Sequence, residues 1–279
     1  MRMSAFFALF VTSSLVSLKV NNALRLSMNT ETLYDMPVSN HGARVRMVIA
    51  SKKIAPLVRI AQPSEIGGLK SAEYLSLNLQ GKMPLLVCPD GMPIPESDTI
   101  CRYLMDKYPQ GPSFSPSDLK QRVLSDQICR LHDMYLAPVQ GCMYKPPGFT
   151  YSTFGSDRTL ALAELKKQLF GIEAVVAKFD AKFPSLSGNF LCGKDISLAD
   201  ASLYPTIVFC MFMLPEFFGW DRSDILGQRL SKWWDFMSNE VPEARTIRND
   251  IENALSLWRA NGRWDPIIDE MQALKSRSA

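Results

Sequence analysis

The stretch KMPLLVCPDGMPIPESDTICRYL, residues 82–104, concentrates groups that can hold a small peptide. Glu96-Ser97-Asp98 stands at the start of a helix-like run. A helix N-terminus presents unpaired N–H groups and a partial positive charge, which makes it a seat for a carboxylate. A carboxylate at Glu96 or Asp98 beside it would hold an ammonium, so the triplet has the means to grip an α-amino-acid end. Lys82, next to the Met-Pro step, would meet a second carboxylate. Pro84 lacks a backbone donor and belongs at a strand start or edge. A cis bond at Met83-Pro84 would turn the Met83 main chain outward, free to pair with an extended peptide as an added strand does. Ser39 falls between a predicted strand and a predicted helix, where its hydroxyl would donate to an anion. For Ser39 and Ser97 the plainer alternative is a helix cap.

These groups need elements to position them. TLYDM (32–36) and APLVRIA (55–61) read as strands around a helix at 39–53, in which Val45, Val48 and Ile49 recur at core-facing spacing. A short helix or turn follows at 70–78. The apolar runs Leu85–Val87 and Met92–Ile94 flank a Pro-Asp-Gly turn and predict a hairpin. A helix over 97–108 carries Ile100, Tyr103, Leu104 and Tyr108 on one stripe. The order β-α-β-α-β-β-α implies a parallel pair with a right-handed crossover, extended by the antiparallel hairpin. PQGPSFSPSD (109–118) is a linker by composition. Beyond it the pattern turns helical, over about 118–142, 156–182, 197–214, 223–239 and 243–260. The expected fold class is therefore α/β followed by all-α. The expected organisation is an N-terminal extension (1–29), an α/β domain (30–108), a linker (109–117) and a helical domain (118–279).

The chain has 279 residues, is 47% apolar, and carries 31 basic and 28 acidic residues without a basic stripe. That balance argues against nucleic acid as a partner. Cys88, Cys101, Cys129, Cys142, Cys192 and Cys210 include no CxxC pair, so neither a metal site nor a CxxC redox motif is indicated. The apolar run 203–214 contains Pro205 and is too short to span a bilayer, which needs roughly 20 residues. Residues 3–18 lack charge and follow Arg2, as in a signal peptide. The acid-free, basic stretch 18–29 behind them suits delivery by the secretory route or to a plastid. The alternative is a cytoplasmic protein starting in effect at Met28.

LYDMPVSNHGARVRMVI, NLQGKMPLLV and PIPESDTICRYL, followed by the S-x-x-D box Ser197–Asp200 before an apolar helix, resemble the glutathione transferase family across about residues 31–260. The resemblance implies a thioredoxin-like N-terminal domain and an all-helical C-terminal domain. It also implies use of glutathione as co-substrate, without a metal, on a small apolar electrophile. In Ser-type members the catalytic serine lies five residues before the arginine of an R-V helix segment. Arg44 is that arginine here, which puts Ser39 in the catalytic position, donating to the glutathione sulfur. Tyr34 is the competing candidate. The absence of a cysteine at position 39 separates the chain from the omega-like and dehydroascorbate-reductase-like branches. The resemblance further assigns Met83 and Pro84 to the cysteinyl part of glutathione, Glu96 and Ser97 to its γ-glutamyl end, and Lys82 to its glycine carboxylate. Asn40, His41, Met134, Tyr135 and Tyr144 would line the electrophile pocket, and family members usually form homodimers. The rival function is a non-catalytic ligand carrier or assembly module on the same fold.

Overall fold

The computed structural model describes residues 30–278; the leader expected over 1–29 lies outside them. Four strands form one mixed sheet in the order β2-β1-β3-β4. Strand β1 (Glu31–Tyr34) runs parallel to β2 (Val58–Ala61), with Leu33 opposite Ile60. It runs antiparallel to β3 (Leu85–Val87), with Leu33 opposite Leu86. β3 pairs in turn with β4 (Pro93–Pro95), Leu86 opposite Ile94. The prolines of β4 sit on the sheet edge, where a missing donor costs no ladder bond. Helix α1 (Asn40–Ser51) makes the crossover, α2 (Ala72–Leu77) precedes the hairpin, and α3 (Ser97–Lys107) follows it.

The strands are shorter than the sequence predicts. Residues 55–57 form a 3₁₀ turn rather than the start of β2. β1 ends at Tyr34, so Asp35 lies beyond it rather than inside a strand. Glu31 starts β1 fully buried, accepting from the Tyr108 hydroxyl at 2.7 Å and pairing with Lys107, which ties the sheet to the end of α3.

Helix α1 departs from its one-stripe pattern. Every residue from Gly42 to Ile49 is buried, because α1 is wedged between two layers. One side packs on α3, and the other on α6 (Leu198–Phe218) and α8 (Pro242–Ala260) of the helical region. Its polar residues on that second side are anchored. Arg46 donates to Asp250 of α8 at 2.8 Å, and Arg44 is spent on the site described below.

The helical region opens with α4 (Leu119–Leu131), which passes into a π-turn at His132–Leu136 and 3₁₀ backbone at Gln140–Met143. Helices α5 (Arg158–Lys182), α6, α7 (Gln228–Glu240) and α8 follow, and a further helix, α9 (Asp265–Ser278), was not predicted. Its signal is Trp264, Ile267 and Met271 on one stripe; Trp264 and Ile267 are buried and Met271 packs on the core. Arg158 pins α9 down. Its Nε donates to Glu270 at 2.8 Å, while its Nη2 donates to the Lys145 carbonyl at 2.8 Å. Helix α6 is longer than expected. It runs 21 residues through Pro205 and Pro215, so by length and composition it could cross a membrane. Most of it is buried within the helical region, which makes it the core helix.

Candidate active site

A cleft of about 740 Å³ opens where the sheet end of the α/β region meets α4 and the π-turn. One wall comes from His41 of α1, from Asn78, Gln80, Lys82, Met83 and Pro84 ahead of β3, and from Glu96–Thr99 at the start of α3. The other comes from Arg130, Asp133, Ala137 and Pro138. The structure thus brings together Lys82, Met83, Pro84, Glu96, Ser97 and His41. Of the other residues singled out in the sequence, Ser39 caps α1 two residues before His41, its Oγ accepting from the Gly42 N–H at 3.0 Å. Asn40 is not among the residues that line the cleft; it donates to Gln140 at 2.7 Å and to Thr206 at 3.0 Å. Met134 and Tyr135 are exposed, and Tyr144 packs against the Phe209 ring.

Local structure fixes the Lys82–Pro84 edge of the cleft. The Met83–Pro84 bond is cis. The Lys82 carbonyl is held from behind by the Tyr74 hydroxyl at 2.7 Å and by Asn78 Nδ2 at 2.8 Å. Glu96 adopts φ 69°, ψ 116°, a conformation that costs a non-glycine residue of the order of 1–3 kcal/mol. The strain coincides with the point where the chain turns from β4 into α3 and points the helix N-terminus at the cleft. Asp98 Oδ2 pairs with Arg102 at 2.8 Å, but its Oδ1 is buried without a partner. An ammonium in the cleft would satisfy that oxygen.

Behind the cleft lies a charged network that the sequence did not reveal. Arg44, 1% exposed, makes a two-pronged pair with Asp133, with Nη1 donating to Oδ2 at 3.1 Å and Nη2 to Oδ1 at 2.5 Å. The same Nη1 donates to Ser97 Oγ at 3.1 Å. Because Ser97 Oγ accepts from Arg44, its own proton is left to point elsewhere, and the cleft is where Ser97 lies. Burial pushes the Asp133 carboxyl up, but hydrogen bonds from His132 and Arg44 outweigh this and hold it well below the usual carboxylate range. Burial lowers His132 and Arg44 lowers it further, against the upward pull of its Asp133 contact; the net direction is down, so the ring is neutral. Its Nδ1 lies 2.8 Å from Asp133 Oδ1 and 2.9 Å from Arg44 Nη2, and its Nε2 lies 2.7 Å from the Thr206 hydroxyl. The His41 ring stands edge-on to His132, with centroids 5.8 Å apart, and burial and Arg44 hold it neutral as well. Arg44 was legible as a motif position only. Asp133 stood unremarked between His132 and Met134, in a stretch read for its apolar residues.

The glutathione S-transferase N-terminal domain family matches residues 33–113. A glutathione S-transferase of Manduca sexta is 36% identical over 169 residues, 61% of this chain and 72% of the relative. One from Arabidopsis thaliana is 32% identical over 233 residues, 80% of this chain and 97% of the relative. Among solved structures, a diazinon-metabolizing glutathione S-transferase of the silkworm Bombyx mori shares the fold at a TM-score of 0.62 and 18% identity. The match covers 81% of this chain and 98% of that one. The mixed four-stranded sheet, the helical region behind it and the cleft between them define a thioredoxin-like domain joined to an all-helical one. The chain belongs to the glutathione transferase family.

Proposed function

We propose that the cleft binds glutathione and that Ser39 stabilises its thiolate for attack on a small apolar electrophile. The observation that carries the binding is an α3 N-terminus at the cleft, opposite Lys82 and Met83, whose Ser97 hydroxyl is already supplied with a donor by Arg44. The γ-glutamyl carboxylate would take Ser97 and the first N–H groups of α3. The ammonium would take Glu96 and the free Oδ1 of Asp98, the glycine carboxylate Lys82, and the cysteinyl main chain Met83. A free thiol has a pKa of about 8.5. A hydroxyl donor at a helix N-terminus favours the thiolate, which is the nucleophile. In this reading residues 30–108 hold glutathione and residues 118–279 supply the electrophile wall, where Ala137 and Pro138 are its apolar members.

The test is the thiolate absorbance near 240 nm of glutathione bound to residues 29–279, titrated with pH beside Ser39→Ala. The expected result is a thiolate band at neutral pH that is lost in the variant, with activity falling about 10²-fold or more, as for removal of one donor to a reacting anion. Glutathione binding with no thiolate in either protein would leave a carrier or scaffold.

Exposed apolar groups favour a homodimer. Leu79, 90% exposed, projects from the loop ahead of β3. A groove between α4 and α5 is lined by Leu119, Val123, Phe179 and Phe183, with Lys120, Lys178 and Lys182 at its rim. An apolar side chain that exposed and an apolar groove are surfaces a second copy of the chain would cover. Leu79→Asp is expected to shift the protein to the monomer on a sizing column, and an unchanged elution volume would remove the loop from the interface.

A further inference from the structure

We infer that His41 is a catalytic residue whose ring N–H holds the oxyanion that builds up when glutathione adds to an α,β-unsaturated carbonyl compound; this rests on the reading of the cleft as a glutathione site and not on Ser39. His41 stands in the first turn of α1 and lines the cleft. Among the described residues its ring nitrogens have no hydrogen-bond partner, while its backbone N–H is held by the Asn40 side chain at 3.0 Å. The ring is nevertheless fixed. It lies edge-on to His132, with centroids 5.8 Å apart and planes at 74°. His132 is itself gripped at Nδ1 by Arg44 and Asp133 and at Nε2 by Thr206. Thr206 Oγ1 and Gln140 Oε1 accept from Asn40 Nδ2, which ties the start of α1 to α6 at the same point. A ring with both nitrogens unengaged, on a cleft wall whose supporting side chains are saturated, is placed for a ligand.

The charged and titratable groups around the ring are Arg44 on α1, His132 and Asp133 on the π-turn, and Lys82 ahead of β3. Burial, joined by Arg44, His132 and Lys82, outweighs the pull of Asp133 and lowers the ring to about 3, so it is neutral at pH 7. A neutral imidazole has one N–H and one lone pair, and it is a donor that keeps its proton. That property separates the classes of electrophile. Opening an epoxide creates a strongly basic alkoxide that needs a proton, which imidazolium gives and the neutral ring withholds. Displacing a halide puts the charge on the leaving halide. Addition to an enal or enone puts it on the carbonyl oxygen, as an enolate, a weaker base that needs only a fixed donor. Ala137 and Pro138 on the other wall suit the hydrocarbon part of such a molecule.

The step balances. The thiolate sulfur gives an electron pair to the β-carbon, and a C–S bond forms. The C=C π pair becomes the second bond between the α-carbon and the carbonyl carbon, and the C=O π pair moves onto oxygen. The enolate oxygen accepts from the His41 N–H, whose proton stays on nitrogen. Water then protonates the α-carbon, returning the proton that the thiol shed, and the C=O bond re-forms. In sum the S–H of glutathione adds across C=C, and no oxidant or reductant is involved.

The experiment compares wild type with His41→Phe, which keeps a ring against His132 without an N–H, and with His41→Gln, which restores an N–H donor. The probes are trans-2-hexenal and benzyl chloride, and glutathione binding is measured on the same samples by calorimetry. With hexenal, kcat of His41→Phe is expected to fall about 10²-fold, as for removal of one donor to a reacting oxyanion, and His41→Gln is expected to recover part of the loss. With benzyl chloride the fall is expected to be much smaller, so the ratio of the two activities drops. Equal falls with the two probes overturn the inference, since His41 would then act on the thiolate or on the shape of the cleft. A raised Michaelis constant for glutathione with kcat unchanged overturns it too and makes His41 a ligand of the tripeptide. Wild type that conjugates benzyl chloride and not hexenal overturns it while leaving the transferase reading in place. If wild type binds glutathione and conjugates neither probe, the transferase reading fails and the role of His41 falls with it.

Discussion

Asp200→Ala is expected to destabilise the protein by about 3–5 kcal/mol, the cost of stripping several buried donors of their shared acceptor. In sequence Asp200 is half of a capping box, worth roughly 1 kcal/mol. In the structure it is fully buried and accepts four hydrogen bonds. Oδ1 takes the Leu191 N–H at 2.9 Å and the Trp233 indole N–H at 2.8 Å. Oδ2 takes the Ser197 N–H at 2.8 Å and the Ser197 hydroxyl at 2.7 Å. Alanine leaves all four donors in a dry interior, and each unsatisfied donor costs about 1–3 kcal/mol. Asparagine does not rescue, because its NH₂ group faces donors in place of an acceptor. The check is a urea unfolding series. The midpoints of both variants should fall well below wild type, with α6 losing its anchor to α7 and to the 191–193 turn. A midpoint for Asp200→Ala within the effect of an ordinary helix cap would show that the cluster is not what holds α6 in place.

What the sequence disclosed and what it hid follow from the range of the interactions. The Pro-Asp-Gly turn, the Met83-Pro84 step and the Glu96–Asp98 helix start are local chemistry, and each stands in the structure where local rules put it. Long amphipathic segments after the linker announced a helical region for the same reason. The misses are all matters of tertiary context. Helix α1 showed one apolar stripe because Arg44 and Arg46 on its other side look solvent-bound in sequence; they are buried because Asp133 and Asp250 arrive from the helical region. Asp35 was absorbed into a predicted strand, and Gly42 passed without comment. The two are meaningful only as a pair, since the buried Asp35 carboxylate occupies the space a Cβ on Gly42 would take. Arg130 and Asp133 sit in a stretch scanned for Met134, Tyr135 and Tyr144 as pocket liners. Periodicity gave that reading no way to know that a π-turn at His132–Leu136 sets Asp133 on the cleft and leaves Met134 and Tyr135 exposed.

Asp133→Ala and Arg44→Met should both damage the protein, unequally and for a reason the geometry specifies. Asp133 is 30% exposed at its side chain and Arg44 only 1%. Without Asp133, a guanidinium is left in the interior with no compensating charge, which is expected to cost about 3–5 kcal/mol. Without Arg44, the remaining carboxylate can still reach water, so Arg44→Met should be the milder change in a denaturant series. Its cost should appear in binding instead. Ser97 Oγ loses its donor, its proton is no longer steered into the cleft, and the Michaelis constant for glutathione should rise with a smaller change in turnover. The pH dependence has a fixed sign. The folded Asp133 carboxyl lies below its unfolded value, so the pair stabilises the fold fully above that value, about 3.9. This stability is lost as pH falls toward the folded value. The gap in stability between wild type and Asp133→Ala should therefore be constant from neutral pH to about 5 and narrow below about 4. A gap that persists unchanged at pH 3 would mean that the loss comes from packing around the π-turn rather than from the charge pair.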